Sequence, residues 1–192
     1  MTRPRTPLIA AGAAGAALLI WLLFWGWPWY ASRRAATVDP AAAAAAAADG
    51  RRINATLFYI GPDGQSLVAV TRDVPYGATA SEQARHILDA QLQPAPGSHY
   101  NAIPQGTRLL GVFVSDTGEA FVDLSPEVSA NHSGGSLSEL FTVYTIVNAI
   151  TVSLPAVRAV QILIDGREVE TLAGHVDLRH PLPANSSWVT SQ

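Results

Sequence analysis

Three short turn signals constrain what this chain can fold into. Gly61-Pro62-Asp63-Gly64, Asp116-Thr117-Gly118 and Asp165-Gly166 each stand between two runs of strand-like composition. Glycine and aspartate in such links let the backbone reverse at little steric cost, so each link predicts a local antiparallel hairpin. The paired runs are Ile53–Ile60 with Ser66–Val74, Arg108–Ser115 with Glu119–Leu124, and Val157–Ile164 with Glu168–Leu172. Two helix signatures separate the hairpins. Thr79 and Glu82 form a capping box ahead of Ala84, Ile87, Leu88 and Leu92 at helical spacing, and Pro94 and Pro96 stop that helix. Ser136 and Glu139 repeat the box pattern before Leu140, Val143, Val147, Ile150 and Leu154, with Pro155 closing the run. The second helix also carries Phe141, Tyr144 and Ile146, so it is apolar nearly all round and belongs at the centre of the core. The order ββα-ββα-ββ predicts an α+β domain: a mostly antiparallel sheet built from three β-hairpins, with two helices packed on it.

This domain does not begin the chain. After a tail of residues 1–7, Leu8–Tyr30 runs without a charged side chain, long enough to cross about 30 Å of hydrocarbon as a helix. Trp21, Trp25, Trp27, Trp29 and Tyr30 crowd its C-terminal end, where amphipathic rings settle at a membrane–water interface. A cleaved signal peptide has a shorter apolar region with small residues close behind it, and Pro28-Trp29-Tyr30 does not fit that pattern. The sequence therefore predicts one transmembrane signal anchor over 8–30. Residues 31–52 then read as an alanine-rich linker, with eight consecutive alanines at Ala41–Ala48. The folded domain is expected over 53–182, followed by a tail over 183–192.

Composition removes several function classes. From residue 51 onward there are eight arginines against thirteen acidic residues, so the basic stripe that nucleic acid requires is missing. The chain has no lysine, which excludes a phosphate-loop lysine and a Schiff-base lysine. It has no cysteine, which excludes a thiol nucleophile, a thiolate zinc site and a disulfide.

Three sequence words, in order, carry a family likeness: AIPQGT at Ala102–Thr107, VDLS at Val122–Ser125, and NAITVSLPAVRAVQILIDGREVETLAGHVDLRHPL at Asn148–Leu182. Together they resemble the GerMN domain of sporulation and spore-germination proteins, over about Ile53–Leu182. The resemblance implies a bacterial envelope module, commonly secreted, lipid-anchored or membrane-tethered, and it brings no catalytic residues with it. Pro104, Gly106, Asp165 and Gly166 belong to these words as signature positions that shape loops. The chain departs from the family pattern in three ways. It has room for one module where the founding protein has two, it reads Gln93-Pro94-Ala95-Pro96 where a Gly-Pro is common, and it lacks a lipobox cysteine.

Several polar residues could carry binding, and each has a structural alternative. Asp123 and Ser125 could form a ligand pair on the sheet rim, or hydrogen-bond the loop backbone there. Asn148, inside the apolar helix, could meet a ligand or fix the helix against a neighbouring carbonyl. Gly134, Gly135 and Ser136 lead into the second helix, whose N-terminus attracts anions, although the expected capping box would occupy some of its amides. His175, Asp177 and His180 lie close in sequence, but their spacing does not define a zinc site, and no metal or cofactor is expected. No nucleophile elbow is present, nor a recognisably placed carboxylate pair. The sequence thus predicts a non-enzymatic module at the cytoplasmic membrane with its domain extracytoplasmic. It would bind an envelope protein or a peptidoglycan component, in envelope assembly or sporulation-like processes. The alternatives are a small-ligand or anion sensor, then a cell-wall hydrolase.

Overall fold

The computed structural model describes residues 50–190. The expected anchor over 8–30 and most of the alanine-rich linker lie outside them. Among the described residues, no helix is long and apolar enough to cross a membrane.

The first hairpin forms as the turn chemistry requires. β1 (Arg52–Ile60) and β2 (Leu67–Pro75) pair antiparallel along their whole length, from Arg52 opposite Pro75 to Ile60 opposite Leu67. Next comes α1 (Ala80–Gln91), started by the expected capping box: the Glu82 amide donates to Thr79 Oγ1 and the Thr79 amide to the Glu82 carboxylate. β3 (Leu109–Val114) and β4 (Glu119–Leu124) form the second hairpin, with a bulge at Leu110. A short helix absent from the sequence reading, α2 (Glu127–Ala130), leads to α3 (Ser136–Ser153). β5 (Ala159–Ile164), β6 (Arg167–Glu168), β7 (Leu182–Pro183) and β8 (Val189–Thr190) complete the order.

The predicted single, mostly antiparallel sheet is corrected in two respects. The strands form two sheets, β1-β2-β8 and β3-β4-β5-β6, with β7 pairing on β5. Both are mixed, because β8 runs parallel to β2 and β5 runs parallel to β4. The second parallel pair follows from α3. A helix of 18 residues, about 27 Å long, carries the chain back across the sheet, so the next strand enters in the direction of the last.

The sheets stay separate because side chains close the edges along which they could merge. On the free side of β1, the Phe58 amide donates to Gln91 Oε1 at 2.9 Å and its carbonyl accepts from Gln91 Nε2 at 2.8 Å. Ser153 Oγ similarly accepts from the Thr56 amide and donates to the Thr56 carbonyl. Ile60 exchanges both backbone bonds with Tyr100. On β3, Ser81 Oγ accepts from the Val114 amide at 2.9 Å. Each of these bonds occupies a group that a further strand would need.

The third hairpin is also shorter than expected: β6 ends at Glu168, not Leu172. Beyond it the backbone amides turn toward a buried carboxylate on α3, and β7 takes the far end of β5, Val160 opposite Leu182. The expected C-terminal tail contributes β8, bound to β2 through the Leu67 amide and the Trp188 carbonyl at 2.7 Å.

α3 is central, as its all-round apolarity predicts. Val143, Ile146, Val147 and Ile150 pack with Ala120, Val122, Val160 and Ile162 of the five-stranded sheet. Ala149 of the same helix joins Ala55, Leu57 and Tyr59 of β1 and Ile87 of α1 in a second cluster. Burying each large aliphatic side chain here contributes on the order of 1.5–3 kcal/mol.

Candidate functional site

The most concentrated polar arrangement surrounds Glu139, one turn into α3. It is not the partner of a capping box. Gly135 occupies the N-cap with φ +90°, a conformation that glycine adopts readily, and no side chain caps the helix start. Released from that role, the fully buried Glu139 carboxylate turns to the loop after β6. Its Oε1 accepts the Leu172 and Ala173 amides, both at 2.9 Å. Its Oε2 accepts the His175 amide at 2.8 Å and meets His175 Nδ1 at 3.0 Å. Burial pushes this carboxyl up, but the amides of Ala173, His175 and Val176 and the His175 ring outweigh it and hold Glu139 below the ordinary glutamate range. A buried charge met by several donors is a fixed anchor for backbone. The loop is closed at its base by the Leu178 amide on the Glu170 carbonyl at 2.8 Å, and Gln161 Nε2 holds the Leu178 carbonyl at 2.6 Å.

The residues singled out from sequence occupy separate structural posts. Asp123 Oδ1 accepts the Gly166 amide at 2.8 Å and so clamps the β5–β6 turn, where Asp165 and Gly166 have φ of +52° and +73°. Ser125, fully buried, exchanges bonds with Arg108, its Oγ accepting the Arg108 amide and its own amide donating to the Arg108 carbonyl. Asn148 Nδ2 donates to the Asn185 carbonyl at 2.8 Å and its Oδ1 accepts the Asn185 amide at 2.9 Å, fastening the segment that leads to β8. The Pro104 carbonyl accepts from Thr107 Oγ1 at 2.7 Å, and Gly106 takes φ +86° beside it. Gly134 and Gly135 both take positive φ at the α3 entrance, and Ser136 is exposed there.

The histidine–aspartate–histidine stretch does not converge. His175 is tied to Glu139, and Asp177 is gripped by Arg179 through Nε at 2.9 Å and Nη2 at 2.7 Å, which holds its carboxyl far below the usual range. Among the described residues, no three histidine or acidic side chains gather as a metal site.

Two features escaped sequence reading. One is the Glu139 anchor, whose spacing from Ser136 matches a capping box while its bonds go elsewhere. The other is a cleft of about 420 Å³ between the loop around Tyr100–Gln105 and the run Asn131–Ser138. Its signal was AIPQGT itself, which forms one wall. Elsewhere on the surface, β3 has a strand partner on one side only and carries Leu110 and Phe113, 44% and 61% exposed. The Phe113 ring rests beside that of Phe121, with centroids 6.5 Å apart.

These features define a small α+β module whose central helix packs between two mixed sheets and whose conspicuous polar side chains hold backbone. Residues 56–170, more than half of the chain, match the Germane family, described as sporulation and spore germination. The chain belongs to that family. The first GerMN domain of the sporulation protein GerM from Bacillus subtilis is similar at 20% identity and a TM-score of 0.53, over 68% of this chain and 97% of that one. The tandem GerMN domains of the same Bacillus subtilis protein align at 18% identity and a TM-score of 0.51, over 70% of this chain and 45% of that one. At these identities the likeness establishes the fold. No curated protein matches by sequence.

Proposed function

We propose that this chain is a membrane-tethered, extracytoplasmic GerMN module that acts without catalysis, as a binding or scaffold element for an envelope protein. The observation that carries this reading is the commitment of its polar side chains. Asp123, Ser125, Glu139 and Asn148 each hold a different piece of backbone, so none stands beside another as a nucleophile and its base. The β3 surface supports a protein partner. Phe113 at 61% exposure and Leu110 at 44% are large apolar groups on the outermost strand of its sheet, whose outer edge is closed by Ser81 at Val114. The uncharged run over 8–30 supplies the tether.

The test is a photo-crosslinking amino acid at position 113 of the full chain, expressed in its own cells. A discrete adduct with an envelope protein, lost when Leu110 is changed to a charged residue, is the expected result. Uniform labelling of bulk protein from position 113, or no adduct, would count against the β3 surface.

A further inference from the structure

The cleft beside Tyr100 has a composition that selects its ligand. Tyr100, Gln105, Asn131 and Ser133 line it, over an apolar floor that includes Ile60 and Ala102. No Asp, Glu or Arg lines it. His132 also contributes to the wall, and its bonds fix the orientation of its ring. Nδ1 accepts the Gly134 amide at 2.9 Å, and Nε2 lies 3.2 Å from Thr142 Oγ1. Thr142 in turn donates to the Ala102 carbonyl at 2.6 Å, which ties this wall to the floor. The cleft is therefore held in shape from within, while part of its polar lining stays uncommitted. The Tyr100 hydroxyl and the Gln105 amide make no hydrogen bond among the described residues. Asn131 uses its NH₂ on the Gln105 carbonyl and keeps its Oδ1 free.

A wall without an acidic or arginine side chain offers little to offset the loss of an ion's hydration. An extended peptide would need strand backbone to pair with, and the one strand edge at the cleft, at Ile60, already exchanges both bonds with Tyr100 at 2.9 and 3.0 Å. What matches is a neutral molecule with an apolar face and hydrogen-bonding groups around its rim. A pyranose ring presents C–H groups on one face, suited to a 61%-exposed tyrosine ring, and hydroxyls in its plane, suited to side-chain amides. An acetamido substituent adds an amide for Gln105 or Asn131 and a methyl group for the Ile60–Ala102 floor.

We propose that this cleft binds a chain of N-acetylated amino sugars, with Tyr100 as the stacking ring and Gln105 and Asn131 as the amide partners. This site is separate from the β3 surface and stands without it.

The experiment is an NMR titration of the isotope-labelled full chain, in a detergent without a sugar headgroup, with the tetramer of N-acetylglucosamine. Saturable shifts confined to residues 100–105 and 131–138 are expected. Tyr100→Ala should weaken binding about tenfold, the loss of one stacking contact, and Gln105→Ala by a smaller factor. Thermal melting of both variants should match the parent, because each side chain is exposed and free of internal bonds. Three results would overturn the proposal: no saturable shift at millimolar tetramer, shifts mapping elsewhere, or undiminished affinity in the folded Tyr100→Ala protein. A neutral tetrapeptide that occupies these amides more tightly than the sugar would overturn it too, while leaving the β3 partner surface standing.

Discussion

Glu139→Gln isolates the charge of the buried anchor while nearly preserving its volume. The glutamine carbonyl can still accept the Leu172 and Ala173 amides now bound to Oε1. Its NH₂ must then face the His175 amide and the His175 ring, so two acceptor bonds are lost and a buried amide is left opposite a donor. An unsatisfied buried amide costs about 1–3 kcal/mol, and the bonds that remain lose their charge assistance. The His175 side chain is 39% exposed and can turn to water, so its share is set below about 1 kcal/mol. The expected loss is about 2–4 kcal/mol by urea unfolding. Accelerated hydrogen exchange should appear first at the amides of residues 172–175. The pH dependence gives an independent sign. The folded carboxyl titrates below the ordinary value of 4.5, so its stabilisation is complete above that value and is lost as pH falls through the lower folded one. Acid should therefore destabilise the parent protein more than the Gln variant. A variant within about 0.5 kcal/mol of the parent, with unchanged exchange in the loop, would refute the anchoring argument.

Other substitutions test neighbouring parts of the account. Gln91→Leu leaves the Phe58 amide and carbonyl unpaired at the β1 edge and should cost about 2–4 kcal/mol in urea unfolding. Asn148→Ala frees both Asn185 backbone groups. Because that segment can regain water, about 1–2 kcal/mol is expected, with faster exchange at Asn185 and Val189 and little change in α1. Gly77→Ala would place a methyl 2.4 Å from the Gln83 nitrogen at the α1 entrance, and a loss of about 1–3 kcal/mol in thermal or urea unfolding is expected.

Much of the fold was legible because its signals are local. The GPDG turn, the Thr79–Glu82 box and the Asp165-Gly166 link act through residues adjacent in sequence, and each appears as read. The relation between hairpins was not legible. It depends on Gln91 and Ser153 reaching the β1 edge from other elements, and on α3 bringing β5 in parallel to β4. Glu139 shows why the site was harder still. A Ser-x-x-Glu spacing is satisfied equally by a helix cap and by a carboxylate that leaves the helix for a distant loop, and only the positive φ of Gly135 separates the two. For Asp123, Ser125 and Asn148 the structural alternative could be named from residue type, but their partners Gly166, Arg108 and Asn185 could not.

The central claim is that these polar side chains maintain shape and leave action to the surface. Incubating the purified full chain with isolated peptidoglycan sacculi and measuring released muropeptides tests it most directly. The account predicts release no greater than in buffer alone. Time-dependent release that a folded variant at Asp123, Ser125 or His175 abolishes would contradict it.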